Sequence, residues 1–129
     1  MDRVEVIYLD THVLVFLYAG EVERLGAKAR VAIGTGDLIV SPAAVLELEF
    51  LHEIGRLRPT AGKLITELGL QVGLRVCEIA FHQVVTQAMN EKWGRDPFDR
   101  LIVANAKVND APLATKDERI LRHYSQAIW

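Results

Sequence analysis

Five acids, Asp10, Glu47, Asp96, Asp99 and Asp117, have the types and spacing that could do chemistry. Asp10 closes the strand-like run Val4-Glu5-Val6-Ile7-Tyr8-Leu9, and Asp117 lies just beyond a second apolar run ending at Thr115. Asp96 and Asp99 fall in the first turn of a helix opened by Pro97. On a helix, the neighbours of Glu47 at three and four positions are Ala43, Ala44, Phe50 and Leu51, all apolar. A glutamate on such a face is costly unless paired or bound to a cation. Carboxylates gathered at one edge repel one another unless something positive lies between them. An oxygen-only donor set suits a hard divalent cation, Mg²⁺ or Mn²⁺. Such a centre can activate water and neutralise charge on a transferring phosphoryl group, a nuclease-like or phosphatase-like chemistry.

Each acid taken alone also has a structural reading. Asp10 can cap a helix, Asp96 is well placed as the cap before Pro97, and Asp99 favours the helix dipole. Asp117, in Lys116-Asp117-Glu118-Arg119, can be a solvated cap. For Glu47 the alternative is a buried arginine partner, Arg100 or Arg56. Glu49 and Glu53 read as solvated. The histidines, His12, His52, His82 and His123, show no zinc-like spacing and receive no role.

The elements that must position these acids alternate. A strand at residues 4–9 is followed by a helix through 13–17 closed by Gly20, and then by a helix at 24–33 ended by Gly34 and Gly36. Residues 38–40 read as a strand buried on both faces. Ser41-Pro42 starts a helix to about Ile54, an N-cap with proline at the first helical position. A further helix fits 61–68, stopped by Gly69, and a strand fits 74–79. Phe81, Val84, Val85, Ala88 and Met89 share one helical face. The Asp96-Pro97 helix continues through Ala104, then come a strand at 112–115, a helix at 117–124 and an edge strand at 127–129. This order predicts right-handed βαβ units around a mostly parallel sheet with helices on both faces. Ligands of such sheets gather beyond the carboxyl ends of the strands, where the acids lie.

The chain has 129 residues, which predicts one α/β domain over 1–129, and the formal charge is −2. That charge argues against a simple DNA-coating surface, yet an enzyme meeting phosphates through cations can keep an acidic site. The lone cysteine, Cys77, excludes an internal disulfide and the usual multi-cysteine zinc sites, and fits a reducing compartment. No apolar stretch spans a bilayer, and the single early cation, Arg3, does not read as a secretion signal, so the cytoplasm is expected.

With these residues in hand, the sequence resembles PIN-domain ribonucleases, specifically VapC-type toxins of toxin–antitoxin pairs, over nearly its whole length. Tyr8-Leu9-Asp10-Thr11-His12 is similar to the family's first motif, and the run from Ser41 to Glu47 to its second. The run from Arg95 to Ala104 is similar to the third, the most specific match, and Leu113-Ala114-Thr115-Lys116-Asp117 to the fourth. The resemblance implies a three-layer α/β/α domain and makes Asp10, Glu47, Asp99 and Asp117 the catalytic and metal-holding quartet. Asp96 and Thr115 become auxiliary groups, and Thr115 would orient a carboxylate or a water. It implies an endoribonuclease using one or two Mg²⁺ or Mn²⁺ ions and leaving a 5′-phosphate and a 3′-hydroxyl. Lys92, Arg95, Arg100 and Lys116 are then candidates to guide RNA, and Trp93 to stack on a base, although ordinary surface and packing roles suit all five. A homodimer and a small VapB-type antitoxin, offering an arginine to the acids, are also implied. Leu51, Ile54 and Leu57 are candidates for that interface, or simply for the core.

Two other α/β classes fit poorly. A response-regulator receiver needs adjacent acids after its first strand and a phosphoacceptor aspartate after its third, but no aspartate occurs between Asp37 and Asp96. A haloacid-dehalogenase-like phosphatase needs a second aspartate where this chain has His12. A housekeeping PIN nuclease in RNA maturation and a non-catalytic PIN-fold binding domain remain as alternatives.

Overall fold

The computed structural model describes residues 4–129. Strands β1 (Val6–Leu9), β2 (Asp37–Val40), β3 (Arg75–Val76), β4 (Leu113–Ala114) and β5 (Ala127–Ile128) form one sheet in the order β3-β2-β1-β4-β5. Every pairing among them is parallel. Among the described residues, the crossovers carry seven α-helices: α1 (Thr11–Tyr18), α2 (Ala27–Thr35), α3 (Pro42–Glu53), α4 (Ala61–Val72), α5 (Phe81–Ala88), α6 (Pro97–Val108) and α7 (Glu118–His123). The α/β class and the parallel sheet expected from the sequence are therefore present.

Successive residues of a strand point to opposite faces. In β1, Ile7, Tyr8 and Leu9 are all buried, so helices cover both sides of the sheet. Helix α6 lies deep, with residues 102–106 buried in succession. Within it, Asn105 Nδ2 donates to Cys77 Sγ at 3.1 Å, and the Tyr8 hydroxyl lies 3.0 Å from the same sulfur. Burial pushes the Tyr8 pKa up, so this hydroxyl stays protonated.

Several boundaries differ from expectation. The predicted helix at 24–33 divides into a 3₁₀ turn, Val22–Arg24, and α2, which runs through Gly34 and stops at Gly36. A Cβ at Gly36 would press on the Ile7 side chain and stand 2.7 Å from the Ala32 carbonyl oxygen, so only glycine lets α2 turn directly into β2. Helix α4 likewise passes through Gly69 and ends at Gly73, whose φ of 72° closes it in the left-handed conformation. The strand expected at 74–79 shrinks to β3. Helix α5 buries only Val84 and Ala88 of its apolar face against α6, and leaves Phe81 and Met89 exposed. Glu49, read as solvated, accepts from the Ala61 amide at 3.0 Å and helps to cap α4.

Candidate active site

Asp10, Asp96, Asp99 and Asp117 sit where a strand or loop passes into a helix, and Glu47 lies one turn further along its helix. Asp10 follows β1 and caps α1, accepting from the Thr11 amide at 2.8 Å. Glu47 lies in the second turn of α3, whose N-cap is Ser41 directly after β2. Asp96 caps α6 by accepting from the Phe98 and Asp99 amides, and Asp99 projects from the same first turn. Asp117, beyond β4, caps α7 through the Arg119 and Ile120 amides. The structural roles open for Asp10, Asp96 and Asp117 are thus all real, and they coexist with convergence. Asp10, Glu47, Asp96, Asp99 and Asp117 line a single cleft of about 260 Å³ together with His12 and Lys116.

Two threonines tie the acids together. Thr11 donates its hydroxyl to Glu47 Oε1, and its amide to Asp10. Thr115, fully buried, donates to Asp10 Oδ2 at 2.6 Å and accepts from the Asp117 amide at 3.0 Å. These bonds favour charged carboxylates, but burial opposes them. Burial is the main cause that raises the pKa of Asp10 and of Glu47, and the negative charges of neighbouring acids add to it. Asp99 is pushed up to about 7, by burial first and then by Asp96, Asp10, Asp117 and Glu47. A cleft in which burial and neighbouring acids raise carboxyl pKa values is short of positive charge.

Among the described residues, no three acidic, histidine or cysteine groups close in enough to enclose an ion by themselves. The carboxylates line the cleft with space between them. Mg²⁺ keeps several waters and is held by a few carboxylates plus substrate oxygens, so a site for it requires no enclosing cage. The donor set, all carboxylate oxygen, fits such a cation.

The basic residues divide. Lys116 lines the cleft. Arg100 is neither there nor paired with Glu47, because its Nε and Nη2 donate to the Ala88 carbonyl at 3.2 and 2.9 Å, clamping α6 to the end of α5. Arg95 is exposed and outside the cleft lining. Trp93 stacks on His123 and donates Nε1 to Glu91. Sequence reasoning missed Glu91, which is 1% exposed and also receives hydrogen bonds from Gln87 and Lys107. Burial raises its pKa, but these three bonds outweigh burial and hold it below the usual glutamate range. The loop that delivers Asp96 and Asp99 is thereby pinned from α5, α6 and α7. His12, given no role from sequence, stands at the cleft wall.

A parallel α/β sheet with a carboxylate cleft at the carboxyl edge of its strands is the architecture of an acid-site nuclease domain. Residues 7–126 match the family model described as PIN domain, and the chain belongs to this family of nucleases. Similar solved structures include a toxin–antitoxin complex from Klebsiella pneumoniae, 13% identical, covering 95% of this chain and 96% of that one, with a TM-score of 0.63. VapBC2 from Rickettsia felis bound to a promoter DNA fragment is 13% identical, covering 96% and 97%, with a TM-score of 0.63. VapBC-1 from nontypeable Haemophilus influenzae is 18% identical, covering 96% of both chains, with a TM-score of 0.59. At such identities the likeness is one of fold. No curated protein matches the sequence. Among the described residues, no helix is long and apolar enough to cross a membrane.

Proposed function

We propose that this chain is a divalent-metal-dependent endoribonuclease, and that residues 1–129 act as one domain as the toxin of a VapBC-type pair. The observation that carries the reading is the convergence of Asp10, Glu47, Asp99 and Asp117, from four separate helices or their caps, on one cleft. The resemblance of three solved toxin–antitoxin complexes in fold supports the toxin role. A VapB-type antitoxin partner, a homodimer and a cytoplasmic setting belong to the same proposal.

Asp10, Glu47, Asp99 and Asp117 would hold Mg²⁺ or Mn²⁺. Bound there, the metal supplies Lewis acidity toward a phosphodiester and lowers the pKa of water, so hydrolysis can proceed in line. Thr11 and Thr115 fix the carboxylates of Glu47 and Asp10 in direction, so that little reorganisation is left for the reaction. Asp96 holds the first turn of α6, and with it Asp99, in place. Lys116 offers the cleft its ammonium, which can meet a phosphate oxygen.

The test is cleavage of a mixed structured RNA pool by purified protein with Mg²⁺, with Mn²⁺ and with EDTA, beside Asp10→Asn. Metal-dependent cleavage that the variant lacks is the expected result. Cleavage by the wild type that EDTA leaves intact, and that the variant shares, would sink the metal site.

A further inference from the structure

A cleft walled by five carboxylates repels the polyanion that a nuclease must hold, so affinity for RNA beyond what a bound metal supplies calls for cations placed at its rim. Lys116 is the lysine of the cleft wall, and its Nζ stands 5.2 Å from the centre of the Phe16 ring. The guanidinium of Arg24, from the turn that follows α1, stands 4.3 Å from the centre of the same ring. Phe16 is only 5% exposed and is part of the core, so it is a rigid platform. Both cations rest on it by cation–π attraction. They are therefore no farther apart than those two distances laid end to end. Their long side chains are also ordered in advance, which lowers the entropy lost on binding an anion.

Among the described residues, neither cation is consumed by a strong partner. Arg24 uses Nη1 to reach Glu21 at 2.9 Å, one turn away, and both side chains are about half exposed. Such a surface pair is weak and exchangeable, and it leaves other guanidinium donors free for a phosphate.

We propose that Lys116 and Arg24, seated together on Phe16, form a phosphate subsite that leads single-stranded RNA into the acidic cleft, an inference that rests on the nuclease reading above. Lys116 meets a phosphate at the cleft wall, and Arg24 meets a successive one just outside.

The test is fluorescence anisotropy of a labelled single-stranded RNA across a salt series, with Asp99→Asn as the parent so that cleavage does not intrude. Each phosphate of a single strand that the protein no longer neutralises should lower the slope of log affinity against log salt by about 0.7. Arg24→Gln should lose about one such step and Arg24→Gln/Lys116→Gln about two, whereas Arg24→Lys should keep the parent slope. Lys63→Gln, a charge change on α4 outside the cleft, should leave the slope intact. If Arg24→Gln lowers the melting temperature but not the slope, the pair is only a packing device and the proposal is overturned. An equal loss in Lys63→Gln would overturn it too, as an effect of net charge. If the parent shows no salt-dependent RNA binding, the nuclease reading falls and takes the subsite with it. RNA binding by the parent with an unchanged Arg24→Gln slope removes the subsite alone.

Discussion

The Thr115 hydroxyl donates to Asp10 at 2.6 Å, so a side chain at the end of β4 holds the acid at the end of β1 in a fixed direction. Thr115→Val preserves the volume and deletes that bond. Mn²⁺ affinity, read by titration calorimetry, should fall about 10- to 100-fold, the range seen when a group supporting a metal ligand is lost. Thr115→Ser should recover most of it. Undiminished affinity in Thr115→Val would reduce Thr115 to packing.

Asp99→Asn and Glu47→Gln each remove one anionic oxygen donor while nearly keeping shape. Both should fold, as judged by circular dichroism, and lose RNA cleavage on the order of 100-fold or more, beyond the loss from a merely supporting group. Wild-type activity in either variant would take that residue out of the site.

The stability of the metal-free protein should depend on pH in an unusual direction. Folding lifts the Asp99 pKa from its ordinary 3.8 to about 7, and lifts those of Asp10 and Glu47 as well. Between those limits the native chain binds more protons than the unfolded chain, so the free energy of unfolding falls as pH rises. The melting temperature should drop by roughly 3–8 °C between about pH 5 and about pH 7.5, and Asp99→Asn should flatten most of that slope. A rising melting curve over this range would contradict the crowded-acid description.

Cation binding should reverse that deficit. Mn²⁺ at about 100 times its dissociation constant should add about 2.7 kcal/mol to the native state, and EDTA should remove it. No shift in thermal melting at neutral pH on adding Mn²⁺ or Mg²⁺ would count against a metal in the cleft.

Glu91→Ala should destabilise the fold by roughly 2–4 kcal/mol in urea unfolding, because it strands the Trp93 indole N–H and leaves Lys107 without its carboxylate. Glu91→Gln, which keeps an acceptor, should cost less. A near-neutral Glu91→Ala would show that the loop before α6 is held by packing alone.

Asp10, Asp96, Asp99 and Asp117 were legible in the sequence because each lies at a strand end or helix start, and Glu47 because its helical neighbours are apolar. Glu91 was not, since Asn90-Glu91-Lys92 looks like a solvated turn and its partners come from α5, α6 and Trp93. Arg100 was open to two readings, a carboxylate partner or an RNA contact, and it donates to a backbone carbonyl rather than to Glu47. Gly34 and Gly69 looked like helix stops, but a glycine inside a helix costs only about 1 kcal/mol, which packing elsewhere in the helix overcomes. The true stop of α4, Gly73, has the left-handed backbone that ends a helix.

The β1–β4 pairing sets an order of events during synthesis. Tyr8 and Leu9 lie beside Leu113 and Ala114, partners separated by almost the whole chain. A nascent polypeptide carrying Asp10, Glu47 and Asp99 therefore still lacks both β4, one of the two strands that flank β1, and the hydroxyl that orients its acid. Pairings this distant in sequence form late and slowly. The growing chain therefore cannot complete its acidic cleft until its last strands emerge.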